Sequence, residues 1–314
     1  MWEPEYNRSG LVSVILNCYN GEKYLKEAID SIYLQSYKNW EIIFWDNLST
    51  DKSAQIAKSY DTKLKYFHGE KHVTLGHARK LAVEASTGEY IAFIDSDDIW
   101  FPNKLEIQLK SMIAGGYELC NASRVLRFEN TSVEKILIKK NKSGWVFNKQ
   151  LKQFDVNIQT LIISKKCLDE TGLNFDSKII ASEEYCLTMQ LLYSYRMSII
   201  KDPLAIYRVR SDSLTKESIN FWVKDREYTL NQILINNPEA IEKYRREFKI
   251  AFARAKYYKV RSSLQKNDRV NALIELRGII FADYRYLLLY TVLLFFPKLF
   301  NYVISKFSKR GKHA

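Results

Sequence analysis

The stretch YIAFIDSDDIW, residues Tyr90 to Trp100, runs an apolar segment straight into Asp95, Ser96, Asp97 and Asp98. Its first five residues have the make-up of a buried strand. Like charges so close repel, and each raises its neighbours' pKa unless a cation sits among them. Asp is also common in solvated turns that follow strands. Taken alone, the stretch leaves both readings open, and the ends of the other strands decide between them.

Working outward, the first hundred residues alternate strand and helix. LVSVIL (11–16) reads as a fully buried strand, and 22–35 carries Leu25, Ile29 and Ile32 at helical spacing. WEIIFW (40–45) is a second strand, followed by a loop in which Ser49 or Thr50 is placed to cap a helix. KLKYFH (63–68) is a third strand. GHARKLAVEAS (76–86) is a helix with Leu81 and Ala85 inward and Gly88 placed to terminate it. This order, with buried β-branched runs, predicts a parallel doubly wound sheet. Ligands bind such sheets at the carboxyl ends of the strands. Those ends carry Asn17, Tyr19 and Asn20, then Asp46 and Asn47, then Asp95, Ser96 and Asp97. Polar, metal-capable groups recurring at three strand ends favour a cation over a solvated turn.

Farther on, VNIQTLIIS (156–164) and LAIYRVR (204–210) read as strands, and EEYCLTMQLLYSY (183–195) as a helix with Leu187, Leu191 and Leu192 on one side. From Phe221 to about Arg277 the pattern is one of charged helices. There Phe248, Ala251, Ala255 and Tyr258 make an apolar stripe among basic residues.

With 314 residues the chain exceeds one typical domain, and at 46% hydrophobic and 27% charged it has a globular composition. The 11 Gly and 5 Pro leave little material for long linkers. Cys18, Cys120, Cys167 and Cys186 share no CxxC spacing, which argues against a zinc site or disulfide scaffold and for a reduced, cytosolic chain. The opening MWEPEYNRSG has two acids and no apolar core, so no secretory signal is expected. The net charge of +12 is uneven. No acid follows Asp283, whereas Arg285, Lys298, Lys306, Lys309, Arg310 and Lys312 do, which points to a polyanionic partner.

Four segments together resemble a family-2 glycosyltransferase with the GT-A fold: VSVILNCYNGEKYLKEAIDSIYLQSYKNWEIIFWDNLSTDKS, ARKLAVEASTGEYIAFIDSDD, SEEYCLTMQLL and YRVRSDS. They lie in family order over roughly residues 11–215. No GxGxxG follows the first strand, which weakens a dinucleotide-binding alternative. The resemblance implies that Asn17, Tyr19 and Asn20 line the donor site. Tyr19 would stack on the base, and Asp46 or Asn47 would read it. Arg79 would face the diphosphate, with Lys80 where the family usually has Asn. Asp95, Ser96 and Asp97 fill the DxD motif, with Asp97 as ligand to Mg2+ or Mn2+ and Asp95 holding the ribose or the ion. Glu183 and Glu184 stand where the family commonly has Glu-Asp, so Glu184, or its neighbour, would be the base that takes the acceptor proton. Arg210 occupies a position that is frequently His and would clamp the diphosphate by charge. His68, His72 and His77 match no ligand spacing and receive no role.

The run YLLLYTVLLFF (286–296) is too short to span a bilayer, which needs about twenty apolar residues. Broken by Pro297 and followed by a basic tail, it predicts an in-plane or re-entrant helix pair at the membrane, and an ordinary buried helix is the alternative. The expected organisation is a GT-A domain over 1–215, a charged helical region over 216–278 and a membrane-associating tail over 279–314. The expected function is inverting, metal-dependent sugar transfer from a nucleotide sugar, with UDP favoured. The acceptor would be a lipid-linked or lipopolysaccharide-type glycan, at the cytoplasmic face of the inner membrane. A nucleic-acid-associated protein using the basic helix near 245–261, and an inactive transferase-like scaffold, are the competing readings. No nucleic-acid partner is expected, because a membrane surface explains the same charge together with the apolar tail and the DxD edge would have no role.

Overall fold

The computed structural model describes residues 10–129, 131, 133–210 and 219–296, without the side chains of 219 and 220. The tail of the YRVRSDS motif and the basic stretch after Phe296 lie outside the described residues. The chain divides into two units. The first holds Met1–Val146, Val156–Lys178 and Leu191–Ser213; the second holds Phe147–Asp155, Ile179–Gln190 and Leu214–Ala314.

The first unit is built on one sheet. Its opening half alternates β1 (Val12–Cys18), α1 (Glu22–Tyr33), β2 (Trp40–Asp46), α2 (Ser53–Lys58), β3 (Leu64–His68), α3 (Leu75–Glu84) and β4 (Tyr90–Asp95). These strands lie parallel in the order β3-β2-β1-β4, as the alternation of buried runs and helices requires. β1 and β2 are buried along nearly their whole length. The sheet continues through β5 (Ile99–Trp100), α4 (Lys104–Gly115), β6 (Leu119–Phe128), β7 (Glu134–Leu137), β8 (Ile162–Ser164) and β9 (Met197–Val209). Beyond β4 the order is β8-β6-β9-β5, with β7 on β6. β8 runs antiparallel to both neighbours, so the sheet is mixed.

Register positions the functional edge. Asn17 pairs with Trp45 and with Asp95, and Cys18 pairs with Asp46, so three strands end level with one another. The groups that follow them are delivered side by side.

Local expectations shift in three places. Helix α2 begins at Ser53 with no side-chain cap, because Ser49 and Thr50 are engaged by Asn20 instead. Gly88 does not terminate α3, whose cap is Ala85. A Cβ at Gly88 would stand 2.6 Å from the Leu11 carbonyl oxygen and the Ser13 nitrogen, so close backbone approach explains the glycine. The strand expected over 156–164 shrinks to β8, and Ile158–Thr160 forms a 3-10 turn. There the Thr160 hydroxyl accepts from the Ala122 N–H at 3.0 Å, and the Asn157 amide donates to the Ala122 carbonyl at 3.2 Å. Side chains thereby replace the ladder that a longer strand would have made.

The second unit is helical. It comprises α5 (Phe147–Lys152), the start of α7 (Glu183–Ser194), α8 (Ile219–Asn236), α9 (Ala240–Lys243), α10 (Arg245–Gln265), α11 (Arg269–Arg277) and α12 (Tyr284–Phe295); α6 (Lys165–Thr171) belongs to the first unit. The stripe Phe248, Ala251, Ala255 and Tyr258 is the buried face of α10, as its spacing predicts. Asp283 caps α12 by accepting from the Arg285 N–H at 2.9 Å, and its carboxylate also takes the Arg285 guanidinium at 2.8 and 2.6 Å. At the other end the Arg269 guanidinium donates to the carbonyls of Leu293 and Leu294, which would otherwise lack partners.

The 286–296 run forms most of α12, a helix with one buried face and one exposed face. Tyr286, Leu289, Val292 and Leu293 are buried against Ala253, Val260, Ala272 and Leu276. The opposite face leaves Leu287, Leu288 and Phe295 exposed. No helix among the described residues is long and apolar enough to cross a membrane.

Candidate active site

At the carboxyl edge the loops after β1 and β2 are stitched together. Asn20 donates its N–H to the Ser49 hydroxyl at 3.0 Å, and its side-chain oxygen accepts from the Thr50 N–H at 2.8 Å. The Gly21 N–H donates to the Ser53 hydroxyl at 2.9 Å, and the Glu22 N–H to the Asp51 carboxylate at 2.9 Å. Asn20 and Leu48 both take positive φ, at 51° and 67°. Backbone strain of this kind concentrates where a site must be held in shape. Asn20 therefore shapes the edge through the loops that it joins.

Tyr19 stands at this edge with 52% of its surface exposed. Its ring centroid lies 4.3 Å from that of His72. His72 Nδ1 is 3.0 Å from the Asn47 carbonyl oxygen, which only accepts, so Nδ1 carries a hydrogen. The geometry thus brings a histidine to the carboxyl edge that ligand spacing alone passes over. The missed signal is position, since the loop after β3 must end at the same edge as those after β1 and β2. His68 lies 3.7 Å from the Asp46 carboxylate, and His77 sits in α3.

Asp46 is fully buried, accepting from the Ser49 N–H at 2.8 Å and from the Tyr66 hydroxyl at 2.6 Å. Burial together with that carboxylate pushes the Tyr66 hydroxyl up in pKa. The Asn47 amide grips the loop after β3. It donates to the Val73 carbonyl at 2.8 Å and accepts from the Val73 N–H at 3.1 Å. What Asn47 retains for a base is the second N–H of its amide and the second lone pair of its side-chain oxygen. The Asn17 amide is buried with no hydrogen-bond partner for either atom, an orphan of the sort that a ligand satisfies.

The acidic turn, Asp95 to Asp98, is held largely by arginines. Arg79, buried on α3, donates to Asp95 at 2.5 Å. Arg210 donates to Asp97 at 3.0 Å. Arg208 donates from its guanidinium to the Asp97 carbonyl and from its N–H to the Asp98 carboxylate, each at 3.0 Å, and also pairs with Glu27. The Arg208 and Arg210 guanidiniums lie 4.3 and 5.3 Å from the Tyr24 ring centroid, within cation–π range. Burial, then the charges of Asp97 and Asp95, push the fully buried Asp98 carboxyl well up. Asp98 is thus a buried acid that anchors β9 and not a third surface carboxylate. Burial and the neighbouring Asp95 also raise the Asp97 carboxyl, although Arg210 opposes them. The edge therefore still favours added positive charge at Asp97. Ser96 sits between these carboxylates, its side chain 3.0 Å from where a Cβ on Gly21 would stand.

Two carboxylates are a workable donor set for Mg2+ or Mn2+, which are commonly held by one or two carboxylates plus substrate phosphates and water. No group of three or more such ligands is present among the described residues. The donor set thus fits an ion completed by a bound diphosphate.

In the second unit, Glu183 and Glu184 open α7. Glu183 is buried and Glu184 is partly exposed. Acids here complement the helix dipole, whatever else they do.

A parallel β3-β2-β1-β4 half-sheet with nucleotide-type groups and a DxD turn along its carboxyl edge belongs to the GT-A class of sugar transferases. Comparisons with known proteins agree. The family model "Glycosyl transferase family 2" matches residues 13–167. An uncharacterized glycosyltransferase of Methanocaldococcus jannaschii is 31% identical over 214 residues, covering 63% of this chain and 71% of that protein. The UDP-Glc:alpha-D-GlcNAc-diphosphoundecaprenol beta-1,3-glucosyltransferase WfgD of Escherichia coli is 29% identical over 239 residues, covering 73% of this chain and 88% of that protein. Among solved structures, S. aureus TarS in complex with UDP-GlcNAc matches with a TM-score of 0.66 at 19% identity, over 88% of this chain and 82% of that one. The mannosyltransferase PcManGT from Pyrobaculum calidifontis, in complex with GDP-Man and Mn2+, matches with a TM-score of 0.58 at 15% identity, over 90% and 84%. The chain belongs to glycosyl transferase family 2 and is a glycosyltransferase with the GT-A fold.

Proposed function

We propose that the protein is an inverting transferase that moves a sugar from a UDP-sugar to a hydroxyl of a lipid-linked glycan. The observation that carries this reading is the charge-paired edge, Arg79 with Asp95 and Arg210 with Asp97, beside the exposed Tyr19 ring. An edge that already balances carboxylates against guanidiniums suits a ligand with its own negative charge and a cation. Tyr19, with His72 beside it, would stack on the base; Asp46 shapes the loop and Asn47 offers an acceptor. The orphaned Asn17 amide would gain a partner from the ribose or phosphate. Asp95 and Asp97 would hold Mg2+ or Mn2+, which neutralises charge on the leaving diphosphate. Arg79 and Arg210 add fixed positive charge there. Glu184, or its neighbour Glu183, would take the acceptor proton.

The names of two similar proteins support the choice of donor and acceptor: WfgD is a UDP-glucose transferase acting on a diphosphoundecaprenol-linked sugar, and TarS was solved with UDP-GlcNAc. We assign residues 1–215 to the transferase domain and 216–278 to a charged helical region. Residues 279–314 would attach to the cytoplasmic face of an anionic membrane. The exposed face of α12, with Tyr284 at 78% and Phe295 at 66% exposure, supports the attachment together with Phe281, 84% exposed in the turn before the helix, ahead of an acid-free basic stretch. Each basic residue near an anionic leaflet contributes about 1 kcal/mol.

A screen of nucleotide sugars with Mn2+ and Mg2+, scored by nucleoside diphosphate release, tests the donor reading. Release is expected from a UDP-sugar and should stop in excess EDTA. Full turnover in EDTA would remove the metal from the reading, and release from a different nucleotide would replace the donor. Co-sedimentation with phosphatidylglycerol vesicles tests the attachment. Binding should fall with Leu287→Glu and with rising salt; equal binding to neutral vesicles would count against an anionic surface.

A further inference from the structure

Resting on the reading of Glu183–Glu184 as the base pair, we infer that Asp225 and Arg226, consecutive residues of α8, are the positioning residues that fix it for proton transfer. The two glutamates open α7, where backbone N–H groups lack helical partners and the chain would fray unless held. The hold comes from more than 40 residues downstream. Asp225, itself buried, accepts from the Ile180 N–H at 3.1 Å and the Ala181 N–H at 2.7 Å through one carboxylate oxygen. It thereby ties down the turn immediately before the glutamates.

Arg226 holds the other side. Its guanidinium lies 4.3 Å from the ring centroid of Tyr185, the residue directly after Glu184. Phe154, Trp222 and Tyr258 surround the same guanidinium at 5.8, 5.9 and 5.2 Å. Tyr185 also packs edge-on against Phe154 at 4.9 Å. The backbone of Glu183 and Glu184 is thus gripped on both sides by adjacent side chains of one helix.

Burying a carboxylate and a guanidinium is costly unless each is well partnered. Burial does raise the Asp225 carboxyl, against the pull of the N–H groups of Ala181 and Ile180. A general base must meet its proton within hydrogen-bond reach, and small misplacements cost large factors in rate. The helical region after residue 214 is therefore part of the transfer machinery through α8, and is more than an appendage.

Five variants of the full chain test this, the fifth being Glu183→Gln, assayed well below their melting temperatures with the best donor from the screen. Asp225→Ala should lower kcat for transfer by about 30-fold or more, with donor KM within about twofold of the parent. Asp225→Asn keeps an acceptor oxygen in place and should recover most of that loss. Leu230→Ala, a cavity one helical turn beyond Arg226, should lower Tm but keep kcat. Glu184→Gln should bind donor normally and transfer slowly. If Asp225→Ala keeps kcat within threefold while Glu184→Gln or Glu183→Gln is crippled, positioning by α8 is overturned and the base survives. If Asp225→Ala and Leu230→Ala lose kcat in step with Tm, Asp225 is only structural and the inference falls. If both glutamine variants transfer normally, the base reading falls and takes the inference with it.

Discussion

Arg79 and Arg210 in the first unit each face a carboxylate, whereas Arg226 in the second faces four aromatic rings. The same side chain serves opposite ends. A guanidinium paired with a partly exposed carboxylate can exchange that partner for phosphate oxygens, because both offer the same forked acceptor geometry. A guanidinium boxed in by Phe154, Tyr185, Trp222 and Tyr258 has no such exchange open to it and serves as a packing element. On the proposed reading, charge at the carboxyl edge can be traded for phosphate, whereas charge under α7 stays.

The comparison breaks most visibly at Asp97. Asp97→Asn removes the carboxylate that Arg210 grips and that would hold the ion. Turnover should fall at least 100-fold, about 3 kcal/mol of leaving-group stabilisation, with an unchanged circular dichroism spectrum. A variant with near-normal turnover would mean that the acidic turn is scaffolding only.

A smaller effect is expected at Arg210. Arg210→Lys keeps the charge but loses the planar fork, so donor KM should rise about tenfold while Tm stays within a degree or two. If KM holds and Tm drops instead, Arg210 belongs with Arg226 as a structural cation, and the contrast between the two regions disappears.

The smallest expected effect comes from a third kind of cation. Lys104 is fully buried in α4, with no hydrogen-bond partner for its amine, which lies 3.8 Å from the Trp100 ring centroid. Burial lowers its pKa to about 7 from 10.5. The unfolded chain therefore binds this proton more readily than the folded one between about pH 7 and 10.5. Over that window this lysine makes stability rise with pH. Lys104→Met should raise Tm by a few degrees near pH 7 and flatten its pH dependence up to pH 10. A lower Tm with an unchanged slope would show that the amine is held charged, as the arginines are.

The place of the acidic turn at the carboxyl edge of the sheet was legible from the recurrence of polar groups at three strand ends, and the family resemblance pointed to Arg79 and Arg210 beside it. Which arginine would meet which carboxylate was not legible. Arg210 and Asp97 are 113 residues apart, and only the placement of the chain after β9 brings them together. The role of Asp98 was hidden for the same reason: its burial and its bond to the Arg208 N–H depend on β5 pairing with β9. His72 was passed over because a search for metal ligands weighs spacing, whereas ring contact with Tyr19 depends on where the loop after β3 returns.

The sequence by itself determined the parallel half of the sheet, because a strand buried on both faces must be apolar along its length and the polar groups after it can only lie at its end. It also determined that α10 has one buried face, since helical periodicity records burial directly. Tertiary structure alone decided which side of α12 is core and which is exposed, for that helix is apolar all round and its periodicity carries no direction. It likewise decided the partners of the charged groups. Local pattern tells a side chain whether to be buried, but a counter-charge is supplied by whichever distant strand or helix the fold sets beside it.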